Sequence, residues 1–425
     1  MGELDRAILR LAVPALGALL VEPLVSVVDT AFVGRLGAGP LAALGITTAL
    51  FGLFFVVFNF LAYATTPRVA YALGRGDRQT AFRRASEALW LALILGALAT
   101  LLLELFAPLL VRLMGAEPAI FQDATLYLRL RALSGPAVLV MTAAQGVYRG
   151  FQDTRTPFKI ALFANVLNAL LDPLFIFGFG LGLAGAAAAS VLAQSLGAWI
   201  FFQRLRRLGA FGPFPGLRPL LPYLRVGGEM FVRTLSLVGA ITIAAAVAAR
   251  IGVVAVAAHQ VLWQVWLLLA MGLDALAIAA QALVAKYRGE DPRKARQAAD
   301  RLLFWGLVSG VLLALWLIVL AEPLPRLFTP DPRVLAAVRE VWPVVVLATP
   351  LNALVFVWDG IFMAAERFRF LAGAMVLAAL VGVLCFFGAL ALGLGLVGVW
   401  WGMAATNAVR ALTQAWGYYR ARLVP

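Results

Sequence analysis

The chain has almost none of the side chains on which most enzymes and metal proteins depend. Among 425 residues it contains one cysteine, Cys385, and one histidine, His259. A single thiol excludes an internal disulfide bond, and these two residues cannot build a Cys/His metal cluster. The sequence also has no Gly-x-x-x-x-Gly-Lys-Ser/Thr loop for ATP phosphates and no Ser-His-Asp or Cys-His arrangement. We therefore expect a protein that is not an enzyme and has no metal or organic cofactor.

Charged residues are scarce as well, and apolar residues dominate. Only 13% of the residues are charged, 63% are hydrophobic, and the mean hydropathy is +0.94. Such a composition requires lipid rather than water around most of the chain. Apolar runs of about 20 residues or more can each cross a hydrocarbon core of about 30 Å as a helix. The pattern predicts an all-α polytopic membrane protein with twelve transmembrane helices, at 8–33, 41–66, 86–111, 123–148, 156–179, 182–204, 221–248, 255–284, 301–321, 335–363, 370–391 and 394–417.

The two halves of the sequence repeat each other at a separation of about 214 positions. The repeated elements are RLG at 35–37 and RIG at 250–252, GLAG at 182–185 and GLVG at 395–398, Pro136 and Pro350, and Gly146 and Gly360. Membrane proteins built from such repeats usually move a solute between their two lobes. We therefore predict two pseudo-symmetric lobes of six helices each, and transport as the function.

Prolines and basic residues are concentrated in the middle of the chain. Pro213, Pro215, Pro219 and Pro222 all lie within residues 204–222. Proline-rich segments favour an extended backbone over a helix. We predict an N-terminal lobe at 1–203, a cytoplasmic linker at 204–222 and a C-terminal lobe at 223–425.

The net charge of +14 comes from 35 Lys and Arg residues against 21 Asp and Glu residues. Twelve spans place both termini on one side of the membrane, and most of the basic residues fall on that side. The positive-inside rule makes that side cytoplasmic. The basic character is therefore explained by topology, and we expect no nucleic-acid partner.

The acidic residues inside the predicted spans include Glu22, Asp29, Glu104, Asp172, Glu229, Asp274 and Asp359. A carboxylate in hydrocarbon is costly unless it has a partner, a water-filled cavity or a proton. Glu104 and Glu229 lie near span ends, where they can reach the interface or cap a helix. The four aspartates lie deeper, so each of them needs a partner or a function.

The first and fifth spans carry the polar residues that best match an ion site. Asn168 and Asp172 are one helical turn apart and share a face. Pro23, on the same span as Asp29, removes a backbone hydrogen bond, so the helix can bend there. If the two spans meet, Asp29, Asn168 and Asp172 can carry a proton or bind Na⁺ through oxygen ligands. These residues do not separate the two ions, and the alternative is that Asn168 and Asp172 only hydrogen-bond to a neighbouring helix.

Four further polar positions are candidates for a substrate cavity. Asp274 and Asp359 in the second half correspond to Asn59 and Gln145 in the first half. They either line a central cavity that receives cationic substrates or hydrogen-bond across helices.

Three sequence strings resemble motifs of the multidrug and toxic compound extrusion (MATE) family. VDTAFVGRLG at 28–37, followed by LAALG at 41–45, resembles the first-helix motif, and RGFQDTRTP at 149–157 resembles the loop after the fourth helix. Asn168 with Asp172-Pro173, and LDALA at 273–277, are most similar to the DinF-like branch. The arrangement of two times six helices extends the resemblance over the whole chain.

The resemblance implies a secondary active efflux antiporter of the inner membrane, with both termini cytoplasmic. It would export organic, often cationic or amphipathic, compounds in exchange for H⁺ or Na⁺ by alternating access. It also implies an ion site at Asp29, Asn168 and Asp172, with Ser190 where the family usually has a threonine. Glu22 stands where a neutral amide is common, which adds a carboxylate near the site. We expect a monomer whose partners are small organic substrates and lipid.

Two alternatives remain open. A lipid-linked precursor flippase shares the two-lobed architecture, but such proteins usually carry extra helices and a strongly basic cavity, whereas the intramembrane charges here are mainly acidic. A passive channel is the other alternative, and its flux would not depend on a proton or sodium gradient.

Overall fold

The computed structural model describes residues 2–421, apart from the side chain of Glu22, and the described residues form helices without any β-strand. Two compact units are present. We call Val13–Gly227 the N-terminal unit, and Met1–Ala12 together with Gly228–Pro425 the C-terminal unit. The lobe and linker boundaries predicted above stay a prediction.

Helices follow one another through short connections. The first eight are α1 (Glu3–Gly34), α2 (Ala38–Val56), α3 (Phe60–Gly74), α4 (Arg78–Leu113), α5 (Pro118–Ala132), α6 (Gly135–Gly150), α7 (Arg155–Pro173) and α8 (Gly182–Arg207). The remaining seven are α9 (Leu221–Ile251), α10 (Val253–Glu290), α11 (Pro292–Val319), α12 (Pro323–Arg326), α13 (Pro332–Ala364), α14 (Phe368–Ala391) and α15 (Gly395–Ala415). A 3₁₀ turn joins α2 to α3, and π-helical turns follow α7 and α15.

Twelve helical spans occur within residues 2–421, as the hydropathy pattern predicts. α2 with α3 forms the second span, α5 with α6 forms the fourth, and α12 is a short connecting helix. Ten of the described stretches are long and apolar enough to cross a membrane as one segment. The other two spans are α5 with α6, which is interrupted, and α15, which carries the polar residues Asn407, Arg410 and Gln414.

The fourth span is interrupted just before Pro136. This proline lies in the first turn of α6, where the missing backbone N–H leaves no helix hydrogen bond unmade. The Ala132 carbonyl at the end of α5 accepts a hydrogen bond from Thr100 Oγ1 of α4, at 2.6 Å. In the second repeat Pro350 lies inside the continuous helix α13.

Aspartates begin three of the helices. Asp77 precedes α4 and accepts a hydrogen bond from the Thr80 backbone N–H at 2.9 Å, while Asp291 and Asp331 precede α11 and α13 in the same role. Each satisfies a backbone donor that a helix start leaves free. The Thr80 donation holds the pKa of Asp77 below its usual value.

Close helix contacts recur at the repeat distance inside each unit. The contact pairs are Gly96–Pro136 and Gly146–Ala62 in the N-terminal unit, and Gly310–Pro350 and Gly360–Ala277 in the C-terminal unit. At each glycine a Cβ atom would collide with backbone atoms of the partner helix. Small residues at such crossings let helices pack closely in lipid. The residues that repeat in the sequence are therefore residues that hold equivalent helix crossings.

The segment after α8 packs along α4. Helix α8 itself extends to Arg207, so the first residues of the predicted linker are helical. Further on, Gly212 accepts a hydrogen bond from Trp90 Nε1 at 3.0 Å and donates one to Ser86 Oγ at 3.1 Å. Phe211 stacks on the Trp90 ring at a centroid distance of 5.3 Å.

Candidate functional site

Two helices of the N-terminal unit bring the predicted acidic residues together. Asp29 lies on α1, and Asn168 and Asp172 lie one turn apart on α7. The Asn168 side-chain amide donates to Asp29 Oδ1 at 2.9 Å and to Asp172 Oδ2 at 3.2 Å. Asp172 is fully buried, Asn168 is nearly so, and Asp29 is half-buried. One amide thus bridges two carboxylates from different helices.

The two carboxyl groups also lie close to each other. Asp29 and Asp172 are near enough to interact electrostatically. The other Asp172 oxygen, Oδ1, is buried and has no hydrogen-bond partner within the described chain. Two carboxylates that share one amide donor repel each other when both are ionised, so a shared proton or a bound cation would stabilise them. The pair is therefore suited chemically to taking up a monovalent cation.

A multidentate metal cage does not accompany this pair. Across residues 2–421, no group of three or more His, Cys, Asp or Glu residues is arranged to hold a metal ion. A sodium ion here would depend on the two carboxylates and on neutral oxygens such as that of the Asn168 amide. Sodium binding at Asp29, Asn168 and Asp172 stays a prediction.

A second polar layer surrounds the pair. Tyr127 and Arg131 share a face of α5, and Arg131 Nη1 donates to Gln194 Oε1 of α8 at 2.9 Å. The guanidinium also lies over the Phe51 ring, 4.5 Å from its centroid. Tyr127 is buried and interacts electrostatically with Arg131 and with both carboxylates. Arg131 in turn interacts electrostatically with Asp172.

Ser190 lies on α8 at the level of the acidic pair. Gly185 of α8 packs on Phe175, at the end of α7, and Gly197 of α8 packs on Ala164. These two contacts bracket Ser190 on one helix and the Asn168-to-Asp172 turn on the other. Ser190 is buried and shares a helix face with Gln194, one turn away. Its role in ion binding stays a prediction.

Tyr127, Arg131 and Gln194 were not among the predicted site residues. A signal was nevertheless present, because Arg131 lies inside the predicted span 123–148, where an arginine is as costly as an acid. Tyr127 precedes it by one turn and so shares its face. Gln194 carried no signal, since a lone glutamine in a span is common in helix packing.

Two other predicted residues lie on α1. The Glu22 side chain is outside the described part of the structure. Pro23 lies inside the continuous helix α1, on an exposed surface. The roles predicted for Glu22 in the ion site and for Pro23 in helix bending stay predictions.

The four candidates for a substrate cavity have different surroundings. Asn59 is exposed at the turn between α2 and α3, and Asp274 is half-buried on α10. Gln145 on α6 accepts a hydrogen bond from Arg149 Nη2 at 3.3 Å. Asp359 on α13 is buried. Substrate contact stays a prediction for all four.

Asp359 forms the centre of a buried ion network in the C-terminal unit. Its Oδ2 accepts from Arg233 Nη2 of α9 at 2.6 Å and from Arg410 Nη2 of α15 at 2.7 Å. Its Oδ1 accepts from Gln414 Nε2 at 2.6 Å. Arg410 also donates to Asn407 Oδ1 at 3.0 Å. Asp359 therefore hydrogen-bonds across helices, which is one of the two alternatives considered for it.

This network changes the expected charge inside the spans. Two guanidinium groups share one carboxylate, and the side chains of Arg410 and Arg233 are only 5% and 13% exposed. The expectation that intramembrane charge is mainly acidic is wrong for this cluster, because a count of acids overlooks arginines inside apolar runs. The available signal was the position of Arg233 and Arg410 within the predicted spans 221–248 and 394–417.

Comparison with known proteins agrees with the motif resemblance described above. The model of the family MatE matches residues 14–174 and 230–387. Protein DETOXIFICATION 44, chloroplastic, of Arabidopsis thaliana is 36% identical over 430 residues, covering 98% of this chain and 82% of that protein. DNA damage-inducible protein F of Escherichia coli is 29% identical over 399 residues, covering 88% of this chain and 84% of that protein.

Solved structures share the fold. The crystal structure of a MATE protein in the bent conformation has a TM-score of 0.91 at 24% identity and covers 99% of this chain and 96% of its own. A transporter of the MOP superfamily from Pyrococcus furiosus has a TM-score of 0.88 at 24% identity, with coverage of 99% and 96%. At this level of identity the likeness concerns the fold alone.

Proposed function

We propose, from the premise that this chain belongs to the multidrug and toxic compound extrusion (MATE) family of membrane transporters, that it is an ion-coupled antiporter. Members of the family are multi-pass efflux transporters and not enzymes. In more detail, we propose that the chain exports organic, often cationic or amphipathic, compounds in exchange for H⁺ or Na⁺. Alternating access between two conformations is the mechanism.

The observation that carries this proposal is the amide-bridged pair of Asp29 and Asp172. The two carboxyls come from α1 and α7, and Asp172 Oδ1 is buried without a partner within the described chain. A buried pair of this kind has a different charge with and without the coupling ion. Occupation of the pair is therefore an electrostatic change inside the bundle.

The mechanism follows from this change of charge. When the pair is empty and ionised, repulsion between Asp29 and Asp172 favours separation of α1 from α7. When the pair is occupied, the repulsion disappears and the helices can pack together. Ion and substrate need not touch, because each only has to favour a different conformation. Bending of α1 at Pro23 is the motion that we propose for this step.

The direct test is replacement of each carboxylate by its neutral amide. We expect Asp29→Asn and Asp172→Asn to abolish gradient-driven efflux of ethidium from proteoliposomes, since neither variant can cycle the charge of the pair. The measurement is ethidium fluorescence after a pH gradient or a sodium gradient is imposed. The matched control is Asp123→Asn, an exposed aspartate on α5. Coupled efflux that survives in both site variants would reject the assignment.

The alternatives differ in their response to the gradients. A passive channel would conduct ethidium equally after a protonophore or without sodium. A lipid-linked precursor flippase would translocate a labelled lipid-linked oligosaccharide and leave ethidium inside. Efflux that collapses when the gradient is removed supports antiport.

We further propose that the protein lies in the cell membrane with both termini cytoplasmic, and that it acts as a monomer. The crowding of basic residues on one side of the predicted topology supports this orientation. H⁺ or Na⁺ serves as the coupling ion, and no cofactor is involved.

A further inference from the structure

The segment between α8 and α9 carries positive charge without any negative charge. Residues 173–228 contain no aspartate or glutamate, so this stretch supplies no counter-charge of its own. The arginines in and beside the segment are all exposed: Arg204, Arg206, Arg207, Arg218 and Arg225. Clustered exposed arginines attract phosphate groups and other anions from the surroundings of a protein.

Large apolar side chains are exposed among these arginines. Leu217 is 69% exposed, Leu221 is 58% exposed and Phe214 is 47% exposed. Leucine and phenylalanine beside arginine are typical of a segment that lies in a membrane interface. There the apolar side chains enter the acyl region and the arginines reach the headgroups.

Contacts with α4 fix the position of this segment. Its Gly212 backbone is bonded to Ser86 and Trp90 of α4, and the Tyr223 hydroxyl donates to the Arg84 carbonyl oxygen at 3.0 Å. The backbone is therefore held along α4 at two places. The apolar side chains that remain exposed can be covered only by something outside the chain.

The contact points on α4 place the segment at the membrane surface. Helix α4 starts at Arg78, but hydropathy predicts that its apolar span begins only at residue 86. Ser86 and Trp90 thus lie at the edge of that span, and tryptophan is enriched at such edges. One helical turn rises about 5.4 Å, so the backbone at Gly212 lies within about one turn of the edge of the span.

We propose that the linker, residues 204–222, docks into the membrane interface and selects anionic phospholipids there. Leu217 and Leu221 enter the acyl region, and Arg206, Arg207 and Arg218 bind the phosphate headgroups. The occupant is a lipid and not a free phosphate ion, because only a lipid also covers the exposed leucines. This inference goes beyond the proposed antiport and does not depend on it.

The test is quenching of a bimane label at Leu217→Cys, in the full-length protein with Cys385→Ala, reconstituted into liposomes. The liposomes contain equal amounts of phosphatidylglycerol and phosphatidylcholine, and only one of the two lipids carries bromine on its acyl chains. We expect brominated phosphatidylglycerol to quench the label at least about twofold more than brominated phosphatidylcholine. Gln79→Cys is the matched control, because Gln79 is exposed and lies about 10 Å before Ser86 along α4. Neither brominated lipid should quench the label there.

Neutral variants test the source of the lipid preference. The first neutralises three arginines of the linker together: Arg206→Gln, Arg207→Gln and Arg218→Gln. We expect the two brominated lipids to quench the Leu217→Cys label equally in this protein. The control neutralises three exposed basic residues of the C-terminal unit together: Arg293→Gln, Lys294→Gln and Arg369→Gln. The preference should persist in the control, because the charge beside the linker is unchanged.

Three outcomes would overturn the inference. One is a Leu217→Cys label that neither brominated lipid quenches, which would place the linker in water or against a soluble partner. Another is equal quenching by both lipids in the protein that keeps all its arginines. These two results do not require any arginine variant to fold. The third is a preference that persists when the three linker arginines are neutralised in a protein that is monodisperse on size exclusion.

Discussion

At the scale of single residues, the chain handles buried charge differently in its two units. In the N-terminal unit, Asp172 keeps an oxygen without a hydrogen-bond partner within residues 2–421. In the C-terminal unit, both Asp359 oxygens accept strong hydrogen bonds, two of them from arginines. Three of about four lone-pair positions of the Asp359 carboxylate are thus occupied by hydrogen bonds from protein side chains. We therefore propose a structural role for Asp359, and we propose that the coupling ion binds in the N-terminal unit.

Replacing Asp359 should destabilise the protein strongly. Asp359→Asn leaves the buried guanidinium groups of Arg233 and Arg410 without their counter-charge, which costs about 3 kcal/mol or more. The measurement is thermal unfolding of the purified protein in detergent, followed by tryptophan fluorescence. Glu104→Gln is the control, because its carboxylate is 35% exposed and pairs loosely with Arg129. That change should cost about 1 kcal/mol or less, and equal melting temperatures for both variants would contradict the structural role.

At the scale of helices, the repeat is visible as equivalent crossings. α6 packs on α3 through Gly146, and α13 packs on α10 through Gly360. The same helices pack on α4 and α11 at Pro136 and Pro350. The hydrophobic effect does not drive helices together in lipid. Van der Waals contact between closely packed backbones is therefore an important source of their attraction. The glycines are therefore the positions at which each bundle is most sensitive to added volume.

Single methyl groups test this sensitivity. A Cβ atom at Gly146 would lie 2.8 Å from Ala62 Cα and 2.9 Å from its carbonyl oxygen. We expect Gly146→Ala and Gly360→Ala each to lower the stability by about 1 to 3 kcal/mol, because backbone atoms cannot move aside as a side chain can. Gly373→Ala on α14 is the control, since nothing lies within 4 Å of its Cβ position. Its melting temperature should be unchanged or slightly raised, and a loss equal to that of the crossing variants would refute the packing argument.

At the scale of the whole molecule, the lipid-facing surface and the charges together set the topology. Large apolar side chains such as Leu101, Leu170, Leu384 and Leu412 are well over half exposed, as expected for residues that contact lipid. Twelve spans return the chain to the side on which it started. Arginines are concentrated in the connections on that side, which we propose to be the cytoplasm.

Cysteine labelling tests this orientation. In a Cys385→Ala background, we expect Glu117→Cys, between α4 and α5, to react with a membrane-impermeant maleimide on intact cells. Gln79→Cys, at the start of α4, should react only after permeabilisation. Both native residues are exposed, so access to the reagent depends on the side of the membrane. Labelling of Gln79→Cys in intact cells would invert the proposed topology.

Several features of the molecule could be predicted without coordinates because they depend on local composition. Transfer of a helix into lipid depends on the hydropathy of its own residues, so twelve spans could be counted from the sequence. The helical spacing of Asn168 and Asp172 likewise places them on one face before any partner is known. Hydropathy does not register the interruption before Pro136, and the fourth span was therefore predicted as one helix.

Other features depend on contacts between residues far apart in the chain. The sequence lists Asp29 and Asp172 as isolated acids, and only the packing of α1 on α7 joins them through Asn168. The sequence cannot distinguish Asp172 from Asp359 either, although folding leaves one partly unpaired and surrounds the other with arginines. Electrostatic energy depends on distance and burial, and neither quantity exists until the helices have packed. Membrane insertion was thus determined by the sequence alone, whereas the chemistry of each buried charge was decided by the tertiary structure.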